Sequence, residues 1–99
     1  MNLEWDFTAE AYLDQLPSQE RARVVHAVER LPLTWASLDK TQLQKLTGSQ
    51  GDLFSLRVGA DLRILVRRRD DTITVVDVVR RSQVEGLRKL SGQGQTVAG

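Results

Sequence analysis

Residues 53–81 read LFSLRVGADLRILVRRRDDTITVVDVVRR. Three runs rich in Val, Ile and Leu, at 53–58, 62–69 and 72–79, are separated by Gly59-Ala60-Asp61 and Asp70-Asp71. β-branched runs of this length bounded by such breakers predict three sequential strands joined by tight turns, an antiparallel meander. The meander also carries Arg57, Arg63, Arg67, Arg80 and Arg81. Buried strand faces rarely carry so many guanidinium groups. A planar, permanently charged fork matches phosphate, so a phosphate-bearing partner is the chemistry these arginines point to.

Upstream of the meander, residues 2–7 alternate, with Leu3, Trp5 and Phe7 on one side and Glu4 and Asp6 on the other, and read as a first strand. Thr8 is placed as an N-cap for a helix over 9–16, with Tyr12, Leu13 and Leu16 at helical spacing. Residues 19–31 carry Val24, Ala27, Val28 and Leu31 on one face, a second amphipathic helix that Pro32 is expected to stop. Residues 33–46 show no clean stripe, and Leu43 and Leu46 are read as anchors of a short helix. Beyond a loop at 47–52, the strands follow. Val84, Leu87 and Leu90 then predict a closing helix over 82–90.

The expected fold is therefore α+β. A small antiparallel sheet in the order β-α-α-β-β-β-α has an N-terminal helical hairpin packed on one face and a short C-terminal helix. Ninety-nine residues leave room for one modest core. Residues 1–90 are expected to form a single domain and residues 91–99, rich in Gly and Gln, a flexible C-terminal tail.

Composition narrows the function. Hydrophobic residues make up 40% of the chain and charged residues 27%, ordinary values for a globular domain. No apolar run approaches the roughly 18–20 residues of a membrane helix, and MNLEWDF lacks the basic start of a signal peptide. No membrane association and a cytoplasmic location are the expectation. There is no cysteine and one histidine, so thiolate chemistry and a histidine metal cluster are excluded; no cofactor and no metal are expected. The net charge of +1 hides an asymmetry. Residues 1–52 hold five basic and eight acidic side chains, a balance of −3, whereas residues 53–99 hold nine and five, a balance of +4. The second half is suited to a polyanion.

The length, the helical hairpin, the basic second half and the run L-x-x-L-R-V-G-x-x-x-R at positions 53–63, followed by the strand to Val79 and by Arg80-Arg81, resemble the RelE/ParE toxin superfamily of bacterial type II toxin–antitoxin systems, on its RelE-like side. The resemblance spans residues 3–90. It implies a cognate antitoxin as partner and, in RelE-like members, cleavage of mRNA on the ribosome. That chemistry is attack of the substrate's own 2′-OH on the adjacent phosphate, so no metal is needed, and translation is repressed. Carried over residue by residue, Arg63 matches the arginine aimed at the scissile phosphate and Arg81 a second phosphate-contacting arginine, the two catalytic candidates. Arg57 matches a position that is basic in many members, and Arg67 and Lys45 are further candidates for RNA or phosphate binding. Leu87 occupies the place of a catalytic tyrosine in many members, and Leu53 and Ser55 lie where the best-known branch has basic residues. The alternatives are a ParE-like toxin that inhibits gyrase and a non-toxic homologue that only binds its antitoxin.

Other residues carry plainer readings. Tyr12, Trp5 and Trp35 read as packing residues and His26 as an ordinary helix-surface histidine. Arg67-Arg68-Arg69 reads first as a solvated strand end, with RNA backbone contact second. Asp61 or Asp77 is placed as an ion-pair partner of an arginine such as Arg63. Arg80 and Arg81 fall on opposite sides if the strand continues, and Arg81 is the one assigned to the site.

Overall fold

The computed structural model describes residues 1–46 and 52–82. Their order is β1 (Asn2–Trp5), α1 (Phe7–Gln15), α2 (Ser18–Thr34), a 3-10 turn at Trp35–Ser37, β2 (Leu43–Lys45), β3 (Leu53–Val58), β4 (Leu62–Arg69) and β5 (Thr72–Arg80). The five strands form one sheet in the spatial order β1-β5-β4-β3-β2, with β4 at its centre. The α+β class and the meander agree with the sequence reading. The closing helix expected over 82–90, Leu87 with it, and the tail at 91–99 lie outside the described residues.

The sheet is mixed rather than antiparallel throughout. β1 runs parallel to β5, with Leu3 opposite Ile73 and Trp5 opposite Val75. Alternation in one strand specifies a face but no direction. Here the chain leaves β1 through α1 and α2 and returns through three more strands, so that β5 lands beside β1 in the same sense.

β2 stands where a short helix was expected. Asp39 accepts hydrogen bonds from the Thr41 backbone N–H (2.9 Å), the Thr41 hydroxyl (2.5 Å) and the Gln42 N–H (3.2 Å), a turn that feeds the chain onto the sheet edge. Those donors hold the Asp39 carboxyl below the usual carboxylate range, the Thr41 hydroxyl first among them. Leu43, Gln44 and Lys45 then pair with Leu56, Ser55 and Phe54.

Two helix boundaries also differ from the expectation. α1 starts at Phe7 with Asp6 in the N-cap position, two residues earlier than Thr8 would give. α2 continues past Pro32 to Thr34. A proline so close to the end costs the helix one backbone bond, and the Trp35 N–H still reaches the Leu31 carbonyl.

The core lies between the helices and one face of the sheet. Val24, Val28 and Leu31 from α2 and Ala9 from α1 meet Leu56, Val58, Leu62, Ile64, Val66, Ile73, Val75 and Val78. Each fully buried Val, Leu or Ile contributes roughly 1.5–3 kcal/mol from water exclusion. Trp5, Tyr12 and Trp35 pack against the rim of this core, as their sequence positions predict.

Candidate phosphate-binding face

Residues directly opposite in a ladder share a face, and alternate residues of a strand point to opposite faces. Leu62, Ile64 and Val66 of β4 are buried under the helices, which sends Arg63, Leu65 and Arg67 to the other face, which no described helix covers. On β3, Leu56 and Val58 face the helices and Leu53, Ser55 and Arg57 do not. The ladder between β3 and β4 sets Arg57 opposite Arg63, Ser55 opposite Leu65 and Leu53 opposite Arg67. Arg57, Arg63 and Arg67 thus share one face, with Arg63 on the central strand.

A break in β5 extends this face. Leu65 is opposite Asp77 and Val66 is opposite Val75, so Val76 is an extra residue in the ladder. A bulge of this kind changes the phase of the strand. Ile73 and Val75 point to the helices before it, and Val78 and Arg80 after it, leaving Asp77 and Val79 on the open face. Strict alternation through 72–79 would instead have aimed Asp77 into the core. The Asp77 side chain accepts a hydrogen bond from the Val78 N–H (2.8 Å), closing the irregular ladder with its own carboxylate. It forms no ion pair with an arginine among the described residues, contrary to the anchoring role expected for it.

The arginines of the meander divide into distinct environments. Arg63 donates to the Leu62 carbonyl at 3.0 Å and Arg57 to the Gly59 carbonyl at 3.4 Å. Arg80 points to the helix side, where it donates to both Glu20 oxygens at 3.0 and 3.1 Å and to Asp61 at 2.9 Å. This guanidinium ties the first turn of α2 to the β3–β4 turn. Its hydrogen bonds hold the Glu20 carboxyl below the usual carboxylate range and push the Arg80 guanidinium further up. Asp61 therefore serves Arg80 and not Arg63. Arg81 follows the last core-facing position of β5, and its backbone N–H binds the Asp61 carbonyl at 2.5 Å.

The run Arg67-Arg68-Arg69 is split three ways. Arg67 belongs to the open face. Arg68 lies on the helix side, its guanidinium 5.1 Å from the centre of the Trp35 ring, which in turn meets Phe54 edge-on at 4.9 Å. Arg69 pairs with Asp52 at 2.9 Å, and this bond holds the Asp52 carboxyl below the usual carboxylate range. Arg69 shares the parity of Arg67, but its guanidinium is taken up by Asp52 at the end of the strand.

Lys45 does not join them. It pairs with Phe54, and Leu43 two residues earlier pairs with the buried Leu56, so Lys45 occupies the helix side of the edge strand. The loop at 47–52 gave no means of counting its parity from the sequence. Among the described residues, no group of three or more His, Cys, Asp or Glu side chains is gathered as a metal site. No described helix is long and apolar enough to cross a membrane.

The helix-backed sheet is a fold shared with known toxins. The structure superposes on the toxin–antitoxin complex RelBE2 from Mycobacterium tuberculosis with a TM-score of 0.63 and 27% identity, over 81% of this chain and 96% of that chain. The chain belongs to the RelE/ParE toxin superfamily. The RelB–RelE antitoxin–toxin complex of Methanococcus jannaschii shares the fold at a TM-score of 0.65 and 23% identity, over 83% of this chain and 94% of that one. A YoeB/ParE toxin from Agrobacterium tumefaciens does so at 0.66 and 14%, over 82% and 99%. No family model and no curated protein matches this RelE-like sequence, so the relationship is carried by the structure.

Proposed function

We propose that this RelE-like chain is the toxin of a type II toxin–antitoxin system, a metal-independent, ribosome-dependent mRNA endoribonuclease that represses translation in the cytoplasm. The observation that supports this most strongly is the gathering of Arg57, Arg63 and Arg67 on the sheet face that no described helix covers. The similarity to a toxin–antitoxin complex at 27% identity supports the toxin role and a cognate antitoxin as partner.

In this reading RNA lies along the open face. Arg63 and Arg81 stabilise the negative charge that builds on the phosphate oxygens as the 2′-oxygen attacks, when hydrogen-bond donors contribute most to rate. Arg57 and Arg67 hold neighbouring phosphates and set register without reading bases. Lys45, on the other side of the edge strand, is left a rim contact to the backbone. Arginine stays protonated throughout and supplies no base, so proton transfer belongs to another group.

The second reading is a ParE-like inhibitor of gyrase. It is favoured by Leu53 and Ser55, which β3 presents beside Arg67 and Leu65 where a basic pair would serve a nuclease. Primer extension on a reporter mRNA in a bacterial translation extract separates the two. Cuts in phase with the reading frame that disappear when initiation is blocked support the nuclease. Intact mRNA together with inhibited supercoiling by gyrase supports the alternative.

A further inference from the structure

The open face has two arginine rows with a gap between them. One row is Arg57–Arg63–Val79 and the next but one in side-chain phase is Leu53–Arg67–Thr74, with Ser55–Leu65–Asp77 in between. Successive same-face positions of an antiparallel strand are about 6.8 Å apart, so Arg63 and Arg67, four residues apart, flank the Asp77 row with one such step on either side. Two phosphates drawn to the two arginines leave the intervening ribose over the middle row. That row contains one ionisable side chain, Asp77, which the Val76 bulge has turned away from the core.

We propose that Asp77 is the base that takes the proton from the attacking ribose 2′-OH. This deepens the RNA-cleaving reading above and rests on it. Asp77 is half-buried, its Oδ1 is held by the Val78 N–H, and its second oxygen has no partner among the described residues. A carboxylate with one oxygen fixed and the other open has a defined direction in which to accept a proton. As it does so, the 2′-oxygen bonds to phosphorus and the bond from phosphorus to the 5′-oxygen breaks. The departing 5′-oxygen takes a proton from water, leaving a 2′,3′-cyclic phosphate and a 5′-hydroxyl. General-base assistance of this kind is worth about 10²–10⁴ in rate.

The carboxylate also closes the bulge, so the test separates the two roles. Asp77→Asn keeps an oxygen acceptor for the Val78 N–H and removes the base. Single-turnover cleavage by saturating protein is measured in a purified translation system across roughly pH 6.5 to 8.5, above the carboxylate range. The charged residues nearest Asp77 in the register are Arg63 and Arg67 on β4, Arg57 on β3, Glu4 on β1 and Asp6 just after it, whose N–H binds the Val75 carbonyl, and Arg81 after β5. None of these side-chain types ordinarily titrates in that interval.

The wild type is expected to give a flat profile. Asp77→Asn is expected to bind the ribosome as tightly, to cleave about 10²–10⁴ more slowly, and to speed up in proportion to hydroxide as hydroxide replaces the lost base. A variant that cleaves at the wild-type rate, or is slower with the same flat profile, overturns the proposal. Should Asp77→Asn fail to fold, Asp77→Ser with added formate decides: a restored rate supports the base, and an unmoved rate refutes it. Failure of the wild type itself to cleave would remove the nuclease reading and this role together, whereas cleavage shared by wild type and Asp77→Asn removes only the role of Asp77.

Discussion

Arg57 and Arg63 stand directly across from each other in the β3–β4 ladder, two guanidinium groups on adjacent strands and on the same face. Like charges in that position oppose sheet formation. Arg57 donates to the Gly59 carbonyl and Arg63 to the Leu62 carbonyl, which disperses part of the charge. In the proposed function, a polyanion lying across both strands would offset that repulsion.

Replacing Arg57 by Thr, a good strand former, is therefore expected to stabilise the protein by about 0.2–1 kcal/mol in urea unfolding. The same change is expected to weaken RNA binding and to lower the slope of log affinity against log salt by about one unit. Binding that is unchanged, with the stability gained, would place the polyanion elsewhere.

Neighbouring Arg67 and Arg68 should behave as opposites because they face opposite sides of the sheet. Arg68→Ala loses the contact with Trp35 and is expected to cost about 0.5–1 kcal/mol in stability while leaving RNA binding intact. Arg67→Ala is expected to weaken RNA binding and leave the unfolding midpoint close to that of the wild type. Urea unfolding and filter binding on the two variants measure both effects.

Acid should loosen the link between α2 and the β3–β4 turn. Arg80 keeps the Glu20 carboxyl below its ordinary value. A depressed folded-state value means that the unfolded chain binds a proton more readily, so this stabilisation is present above the ordinary glutamate range and is lost as pH falls through the depressed value. The melting temperature is expected to drop in that acid window, and Glu20→Gln is expected to remove this part of the drop. A Gln variant with an unchanged acid limb would assign the acid sensitivity to other carboxylates.

Gly59 turns the chain between β3 and β4 with φ of 66°, and no atom lies within 4 Å of where a Cβ would stand. The cost of Gly59→Ala is thus backbone strain alone, about 1–2 kcal/mol in unfolding experiments. A neutral substitution would mean that the turn relaxes without disturbing Arg57 or Asp61.

The strands at Leu53–Val58, Leu62–Arg69 and Thr72–Arg80 were legible because each is a branched apolar run with Gly or Asp at one or both ends. The sequence reading assigned no common face to Arg57, Arg63 and Arg67; that face comes from the β3–β4 register and the buried residues they alternate with. β2 was not legible, since three residues have no pattern of their own and become a strand only by pairing with β3. The face of Lys45 depended on the same pairing. Asp77 was visible as a carboxylate in an apolar strand, but its direction depended on the bulge at Val76. The signal for that bulge was that unbroken alternation would have buried the charge.

The most direct test of the nuclease account is primer extension on a translated reporter mRNA with the wild type, Arg63→Ala and Arg68→Ala side by side. The expected result is cleavage phased to the reading frame with the wild type and Arg68→Ala, and a loss of about 10²–10³ in rate with Arg63→Ala. Cleavage by Arg63→Ala at the wild-type rate, or no cleavage by the wild type, would contradict the account.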